Sequence, residues 1–342
     1  MSVLIVCHAG IGLGLGHLIR SLVIARALQK ELGFTIQLLV QGDPVKIDDL
    51  DKFDNIFIKV EQNLVSSVLH YVELKLPRVV IFDLYPDLIP ANIDLLLWSL
   101  RKNQCRVIGV DGLLMHCNSL DLIFIPSFHF CLPENLSTST PIIFGWDCFL
   151  INIRPSSTSW TPGRQVLVLT GGSDTTNLGL TLPNLLNASL PNDVWLHWVT
   201  GPYSKNPLWP VGPRFQMTEH IAPSNLDHLI SNANYAITVY GVSFFELLYH
   251  GIPTIVFEPY DIKLKSELAT ISAEGLALVA RSEEDAIAKL NHLMTDHVNS
   301  ECMSLLARSK LSVADGSKFT KLVAQLLNSN ILQHDAANTL ST

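Results

Sequence analysis

Three short blocks of this chain combine glycine with residues able to move a proton or bind an anion. The first is Gly10-Ile11-Gly12-Leu13-Gly14-Leu15-Gly16-His17-Leu18-Ile19-Arg20. Its glycines allow a tight turn and a close approach of backbone to ligand. The block follows an apolar run and opens a helical pattern, so free N–H groups and a partial positive charge face whatever sits there. His17 falls in the first turn, where the helix dipole favours a neutral imidazole suited to act as a base or hydrogen-bond donor. A plain helix cap is the competing reading of His17. A dinucleotide site scores low, because no acidic residue ends the second strand; Gln41-Gly42-Asp43 comes just after it.

The second block is Leu169-Thr170-Gly171-Gly172-Ser173-Asp174-Thr175-Thr176-Asn177. Gly171, Gly172 and Ser173 offer backbone N–H and hydroxyl donors that can wrap a phosphate. An ordinary turn with Asp174 or Asn177 as the helix N-cap is the alternative. The third block runs from Thr238 through Gly241-Val242-Ser243 to Glu246 and His250-Gly251-Ile252-Pro253. A helix starting at Gly241–Ser243 is a natural seat for a diphosphate. Glu246, one turn on, can accept hydrogen bonds from both ribose hydroxyls, or can close a capping box.

The elements that must position these blocks follow from hydrophobic patterning. Apolar runs at 3–7, 35–40, 55–60, 78–83, 105–110 and 122–125 read as strands, with helical periodicity at 17–32, 63–74 and 91–102. After the proline- and hydroxyl-rich stretch 151–163 the alternation restarts. Strands are expected at 165–170, 194–199, 235–239 and 254–257, and helices at 177–186, 225–232, 243–250, 264–273 and 283–294. Such alternation predicts parallel sheets covered on both faces. The expected organisation is an N-terminal Rossmann-like domain over 1–150 carrying His17, a linker over 151–163, a C-terminal Rossmann-like domain over 164–330, and a flexible tail over 331–342. A cleft between the two domains, at the strand C-termini, is then the expected ligand site.

Composition narrows the function classes. The 342 residues are 48% hydrophobic and 16% charged, enough apolar material for two packed cores. The net charge of -8 argues against a general nucleic-acid binder, which carries a basic footprint. The six cysteines form no CxxC pair, and no basic leader precedes the first apolar run, so a reduced, cytoplasmic protein is expected. No window of about 18 residues is both apolar and uncharged enough to span a bilayer, which leaves peripheral membrane contact as the open possibility. His8, just past the first strand, is a further candidate for the cleft wall. Asp48-Asp49-Leu50-Asp51 reads as a solvated loop, and no metal-ligand spacing is found.

Taken in order, these blocks resemble the UDP-sugar hydrolases of pseudaminic acid biosynthesis, which are similar in turn to the peptidoglycan N-acetylglucosaminyltransferase. The likeness covers roughly residues 3–280. It rests on the Gly14-to-Arg20 block, Asp83-Leu84-Tyr85, Phe144-Gly145-Trp146 to Arg154-Pro155, Gly171-to-Asp174 and Glu246-to-Pro253. The resemblance implies a GT-B fold, with two Rossmann-like domains whose parallel sheets face across a cleft. It implies His17 as the catalytic residue, and Gly16, Arg20 and Tyr85 beside the sugar. It also implies Gly14, Gly171, Gly172, Ser173, Gly241, Val242 and Ser243 at the diphosphate, with Glu246 on the ribose. Two stretches depart from the family. Its polar amide pair beyond residue 257 is replaced by Glu258-Pro259-Tyr260-Asp261-Ile262-Lys263, making Asp261 and Lys263 the candidate sugar contacts. Its Asp-Asp-Leu becomes Asp111-Gly112-Leu113.

The expected reaction cleaves the C1–O bond of a UDP-sugar with loss of UDP, by a metal-independent route. Water as nucleophile makes the chain a hydrolase. A glycan or other hydroxyl acceptor makes it an inverting glycosyltransferase. A non-catalytic sugar-nucleotide-binding subunit is the third possibility. No cofactor beyond the nucleotide sugar is expected.

Overall fold

A computed structural model describes residues 1–152, 159–257 and 265–339, with side chains as far as residue 328 except that of residue 265. The first half alternates β1 (Ser2–Ala9), α1 (Gly16–Leu32), β2 (Thr35–Gly42), β3 (Asp54–Ile58), α2 (Leu64–Lys75), β4 (Val79–Asp83), α3 (Ile93–Lys102), β5 (Arg106–Val110), β6 (Leu122–Phe124) and β7 (Ile142–Ile143). All strands pair in parallel, in the order β3-β2-β1-β4-β5-β6-β7. Residues along β1 take opposite faces in turn. Val3, Ile5 and Cys7 pack with Leu18, Leu22 and Leu28 of α1, while Leu4 and Val6 pack with residues of α2 and α3. Both faces are thus covered, which is why the strands read as unbroken apolar runs.

The second half repeats the plan. Its elements are β8 (Gln165–Leu169), α4 (Leu178–Ser189), β9 (Trp195–Thr200), β10 (Gln216–Ile221), α5 (Asp227–Asn232), β11 (Tyr235–Val239), α6 (Val242–His250), β12 (Thr254–Phe257), α7 (Lys265–Ala273), β13 (Leu278–Ala280), α8 (Glu283–Thr295), α9 (His297–Lys310) and α10 (Ser317–Thr339). The sheet order is β10-β9-β8-β11-β12-β13. In each sheet the winding reverses beside the first strand, between β1 and β4 and between β8 and β11. The glycine turns after β1, β8 and β11 therefore open at the crevices where such sheets receive ligands.

Helix α10 spans Ser317–Thr339. It leaves the second domain and packs on the first. Phe319 and Val323 join the core beneath α1, the Phe319 ring stands edge-on to Phe124 at 5.1 Å, and the Thr320 hydroxyl bonds Glu31. The chain therefore crosses between domains twice, side by side. Ile151 N–H donates to Ala314 O at 2.9 Å, next to the Leu150–Asp315 bridge. Part of the 151–163 linker, including Arg154 and Pro155, lies outside the described residues.

Candidate functional site

His17 enters the cleft on the first turn of α1. The preceding loop folds on itself: Gly14 N–H donates to Gly10 O at 2.9 Å and Gly10 N–H returns to Gly14 O at 3.2 Å. Gly12 and Gly14 have φ of 77° and 73°, a region that disfavours residues with a Cβ. This turn delivers the His17 ring to the end of β4. There Nδ1 lies 2.6 Å from Oδ1 of Asp83, a fully buried carboxylate.

A carboxylate oxygen only accepts, so Nδ1 donates in this bond, and Nε2 is the ring nitrogen left for another partner. Three residues on and on the same helical face, Arg20 completes the arrangement. Its Nε and Nη2 donate to Asp83 Oδ2 and Oδ1 at 3.1 and 2.6 Å, and its Nη1 donates to Asp111 Oδ2 at 2.6 Å. Burial alone would raise the Asp83 pKa. The Arg20 guanidinium, and then His17, outweigh it and hold the carboxyl below its ordinary range. The His17 ring is thus oriented by a carboxylate that is ionised at neutral pH. Arg20, expected beside the sugar, donates to both carboxylates, and its Nη2 also lies 3.1 Å from His17 Nδ1.

Tyr85, two residues past Asp83, stands edge-on to the His17 ring at 6.1 Å. Its backbone N–H donates to His8 Nδ1 at 2.9 Å, while His8 Nε2 meets Gln41 Oε1 at 3.1 Å. His8 is fully buried and both ring nitrogens are engaged, so it props the Tyr85 turn and is not part of the cleft wall.

Beside Gly16 opens a cavity of about 330 Å³ between the domains. Gly14 and Gly16 form its N-terminal wall, and Gly171, Gly172, Gly241, Val242, Ser243 and Glu246 form its C-terminal wall. Gly171 has φ of 85°, and a Cβ on Gly172 would sit 3.3 Å from Gly14 Cα and Leu15 N, a tight contact that brings the two domains' backbones close together here. Helix α6 starts at Gly241 with no side-chain cap and no acidic residue in its first turn, which leaves its positive end turned to the cavity. Glu246 lies in the same wall. Burial first, and then the Asp227 carboxylate, push its pKa up to about 7, against smaller opposing effects of Ser243 and Arg26. Asp48, read as part of a solvated loop, also lines this cavity, and its neighbour Asp49 pairs with Arg26 at 3.0 Å.

Ser173 departs from expectation. It turns away from this cavity and borders a separate one. Asn177 holds the N-cap position of α4, and the Asp174 carboxylate upstream accepts from Leu178 and Gly179 N–H at 3.0 and 2.9 Å. Asp261 and Lys263 lie outside the described residues.

The structure adds residues that reading the blocks did not single out. Asp83 and Asp111 join the site through Arg20. At the far side, Tyr240 donates to Glu267 of α7, and Ser127 of the first domain donates to the other Glu267 oxygen at 3.3 Å. Burial first raises the pKa of Glu267, and Asp111 adds to the rise against the hydrogen bonds from Tyr240 and Ser127. The sequence signals for Asp83 are its place in the Asp83-Leu84-Tyr85 motif and an acidic residue closing an otherwise wholly apolar strand.

No family model matches the chain, and no curated protein matches it by sequence. Solved structures do match along nearly its whole length. MurG from Acinetobacter baumannii aligns with a TM-score of 0.61 at 12% identity, over 95% of this chain and 100% of MurG. Phytolacca americana UGT2, complexed with UDP-2fluoro-glucose and pterostilbene, aligns with a TM-score of 0.65 at 14% identity, over 95% and 98%. S. aureus MnaA, solved with UDP, aligns with a TM-score of 0.63 at 13% identity, over 96% and 97%. The architecture is therefore GT-B: two Rossmann-like α/β domains whose parallel sheets face across a cleft.

Proposed function

We propose that this chain is a nucleotide-sugar enzyme that moves the glycosyl group of a UDP-sugar to an acceptor hydroxyl. The observation that carries the proposal is the pairing of His17 Nδ1 with the buried Asp83 carboxylate, next in the chain to Gly16 in the wall of a cavity bounded by two glycine turns and an uncapped helix N-terminus. His17 Nε2 removes the proton from the attacking hydroxyl. Asp83 keeps the ring in the right tautomer and stabilises the imidazolium that forms. The leaving diphosphate gathers negative charge, which the N–H groups at Gly241–Ser243 and at the Gly171-Gly172 turn are placed to receive. Glu246 holds the ribose. Two of the structures named above, solved with UDP-2fluoro-glucose and with UDP, hold these ligands in this architecture, which supports the donor assignment by analogy.

Hydrolysis is the second reading, favoured by the resemblance of the His17, Gly171–Asp174 and Glu246 blocks to the pseudaminic acid hydrolases. The same dyad activates water as readily as a sugar hydroxyl. One experiment separates the two: a panel of UDP-sugars is incubated with the protein, with and without hydroxyl acceptors, and UDP and free sugar are followed by NMR. His17-dependent UDP release that requires an acceptor supports transfer. Equally fast release of free sugar without acceptor supports hydrolysis. No UDP binding at all would remove the nucleotide-sugar reading.

A further inference from the structure

Glu267 is a partly buried carboxyl in the first turn of α7, and it is held from both domains. One of its oxygens accepts from the Tyr240 hydroxyl, and the other lies 3.3 Å from Ser127 Oγ of the first domain. Tyr240 lines the larger cavity and immediately precedes Gly241, where α6 begins. Its ring lies against Phe244 and Phe245 of that helix, with centroids at 5.7 and 5.5 Å. Ser127 is fixed just past β6: its N–H donates to Ile125 O and its carbonyl accepts from Gly145 N–H, both at 2.8 Å. β6 belongs to the sheet whose strand β4 ends in Asp83.

The donors and acceptors around Glu267 can be counted. Ser127 Oγ accepts from His129 N–H at 3.1 Å. Its single hydrogen has two acceptors in reach, Glu267 Oε1 at 3.3 Å and His129 O at 3.0 Å. A proton on Glu267 removes that competition: the acid donates to Ser127 Oγ, whose own hydrogen then serves His129 O. Burial first, and then the Asp111 charge, raise the Glu267 pKa, which favours this form. Burial and the neighbouring Glu267 also raise the pKa of Tyr240, so its hydroxyl keeps its hydrogen and donates. Every group then has a partner, and the bond directions fix where the two domains meet.

We infer that Glu267 is a positioning residue of the glycosyl transfer: it ties Tyr240, beside the diphosphate turn, to Ser127, on the domain that carries His17, and so sets the spacing between leaving group and base. The inference rests on the proposed function for the identity of those two ends. The base comes from one domain and the diphosphate turn from the other, and a misplacement of about 1 Å between reacting groups can lower a rate by about 100-fold.

The test is a double-mutant cycle on the full chain with Glu267→Ala, Ser127→Ala and the pair, together with Glu267→Gln. Steady-state turnover of the UDP-sugar and UDP affinity by calorimetry are read for each, and the UDP stoichiometry corrects for any unfolded fraction. Each single alanine variant should lose about 10- to 100-fold in kcat, with KM and UDP affinity within about threefold of the parent. The pair should lose no more than the worse single variant, within about twofold. Glu267→Gln should recover kcat to within about threefold of the parent, because the amide donates to Ser127 and accepts from Tyr240. Additive losses in the pair would overturn the inference. So would a Gln variant as slow as the alanine one, unchanged kcat in the single variants, or a fall in UDP affinity as large as the fall in kcat. Hydrogen exchange of the UDP-free protein is read alongside. Glu267→Ala should speed exchange at both 125–129 and 240–247, which lie in different domains, and a response confined to the second domain would overturn the tie. A parent chain that binds no UDP but shows the two-domain exchange response counts against the proposed function and supports the tie.

Discussion

Asp83 Oδ1 lies 2.6 Å from His17 Nδ1 and 2.6 Å from Arg20 Nη2. One buried oxygen thus orients the proposed base and anchors the cation that keeps the carboxyl ionised. Neither bond is local: Asp83 closes β4, and its two partners ride on α1.

This relationship predicts how Asp83→Asn behaves. The amide keeps the shape but can present its N–H to the ring, which favours the wrong tautomer. Turnover should fall by about 10²–10⁴-fold, comparable to the loss in His17→Ala. UDP affinity, measured by calorimetry, should stay within about threefold. A variant that retains turnover within tenfold of the parent would exclude the dyad from the chemistry.

Arg20→Ala should act first on stability. Removing the guanidinium strands the buried Asp83 charge, an effect worth about 3–5 kcal/mol for broken buried pairs. Urea denaturation is the check. A loss below about 1 kcal/mol would mean that Arg20 is not needed to hold Asp83 ionised.

Gly172→Val tests the close approach of the domains. A Cβ there meets Gly14 Cα and Leu15 N at 3.3 Å, and these are backbone atoms that cannot swing aside. UDP affinity should drop at least tenfold, about 1.4 kcal/mol. Gly241→Ala, with open space at its Cβ, should be much milder. Equal effects of the two substitutions would argue against the Gly14–Gly172 contact.

Glu246 gives a pH signature. Its pKa rises from 4.5 to about 7 on folding. Between these values the folded chain keeps a proton that the unfolded chain has released. The residue's contribution to stability is therefore fully present below pH 4.5 and is lost as pH rises through about 7. Glu246→Gln should match the parent near pH 4 and gain on it progressively up to pH 8, as read from denaturation midpoints. A gap between the two proteins that does not change with pH would refute the shift.

Phe319→Ala probes the last helix. This ring is fully buried in the first domain's core against Phe124, although the whole second sheet, from β8 to β13, precedes it in the chain. The expected cost is about 3–5 kcal/mol. Hydrogen exchange should show the loss in β1 and α1 rather than in β8 and β11. Loss confined to the second domain would contradict the packing.

Much of the fold is legible in the sequence because its signals are local. The unbroken apolar strands, the βα alternation and the restart after residue 163 mark two wound sheets. The glycine turns and the open N-terminus of α6 are properties of a few consecutive residues, so sequence reading alone assigns Gly14, Gly171, Gly241 and Glu246 to a cavity wall. The short strands β7, β10 and β13 are not legible in this way. β7 and β13 have only two and three residues, and the half-exposed edge strand β10 lacks an apolar run. Helix α9 also lacks a strong apolar stripe in sequence, whereas α10 carries one at Phe319, Leu322, Val323, Leu326 and Leu327 that does not by itself say which domain it covers.

The chemistry of the site is decided elsewhere. The family resemblance implies Arg20 as a substrate contact. The strand order sets β4 next to β1 and β5 next to β4, which brings Asp83 and Asp111 to Arg20 from 63 and 91 residues away. Ser173 belongs to a phosphate-type turn by sequence, yet the meeting of Gly172 with Gly14 divides the cleft and leaves Ser173 on its other side. Turn and helix signals depend on neighbours along the chain. Which carboxylate meets which cation depends on how strands are ordered and how two domains abut, and those are properties of the folded whole.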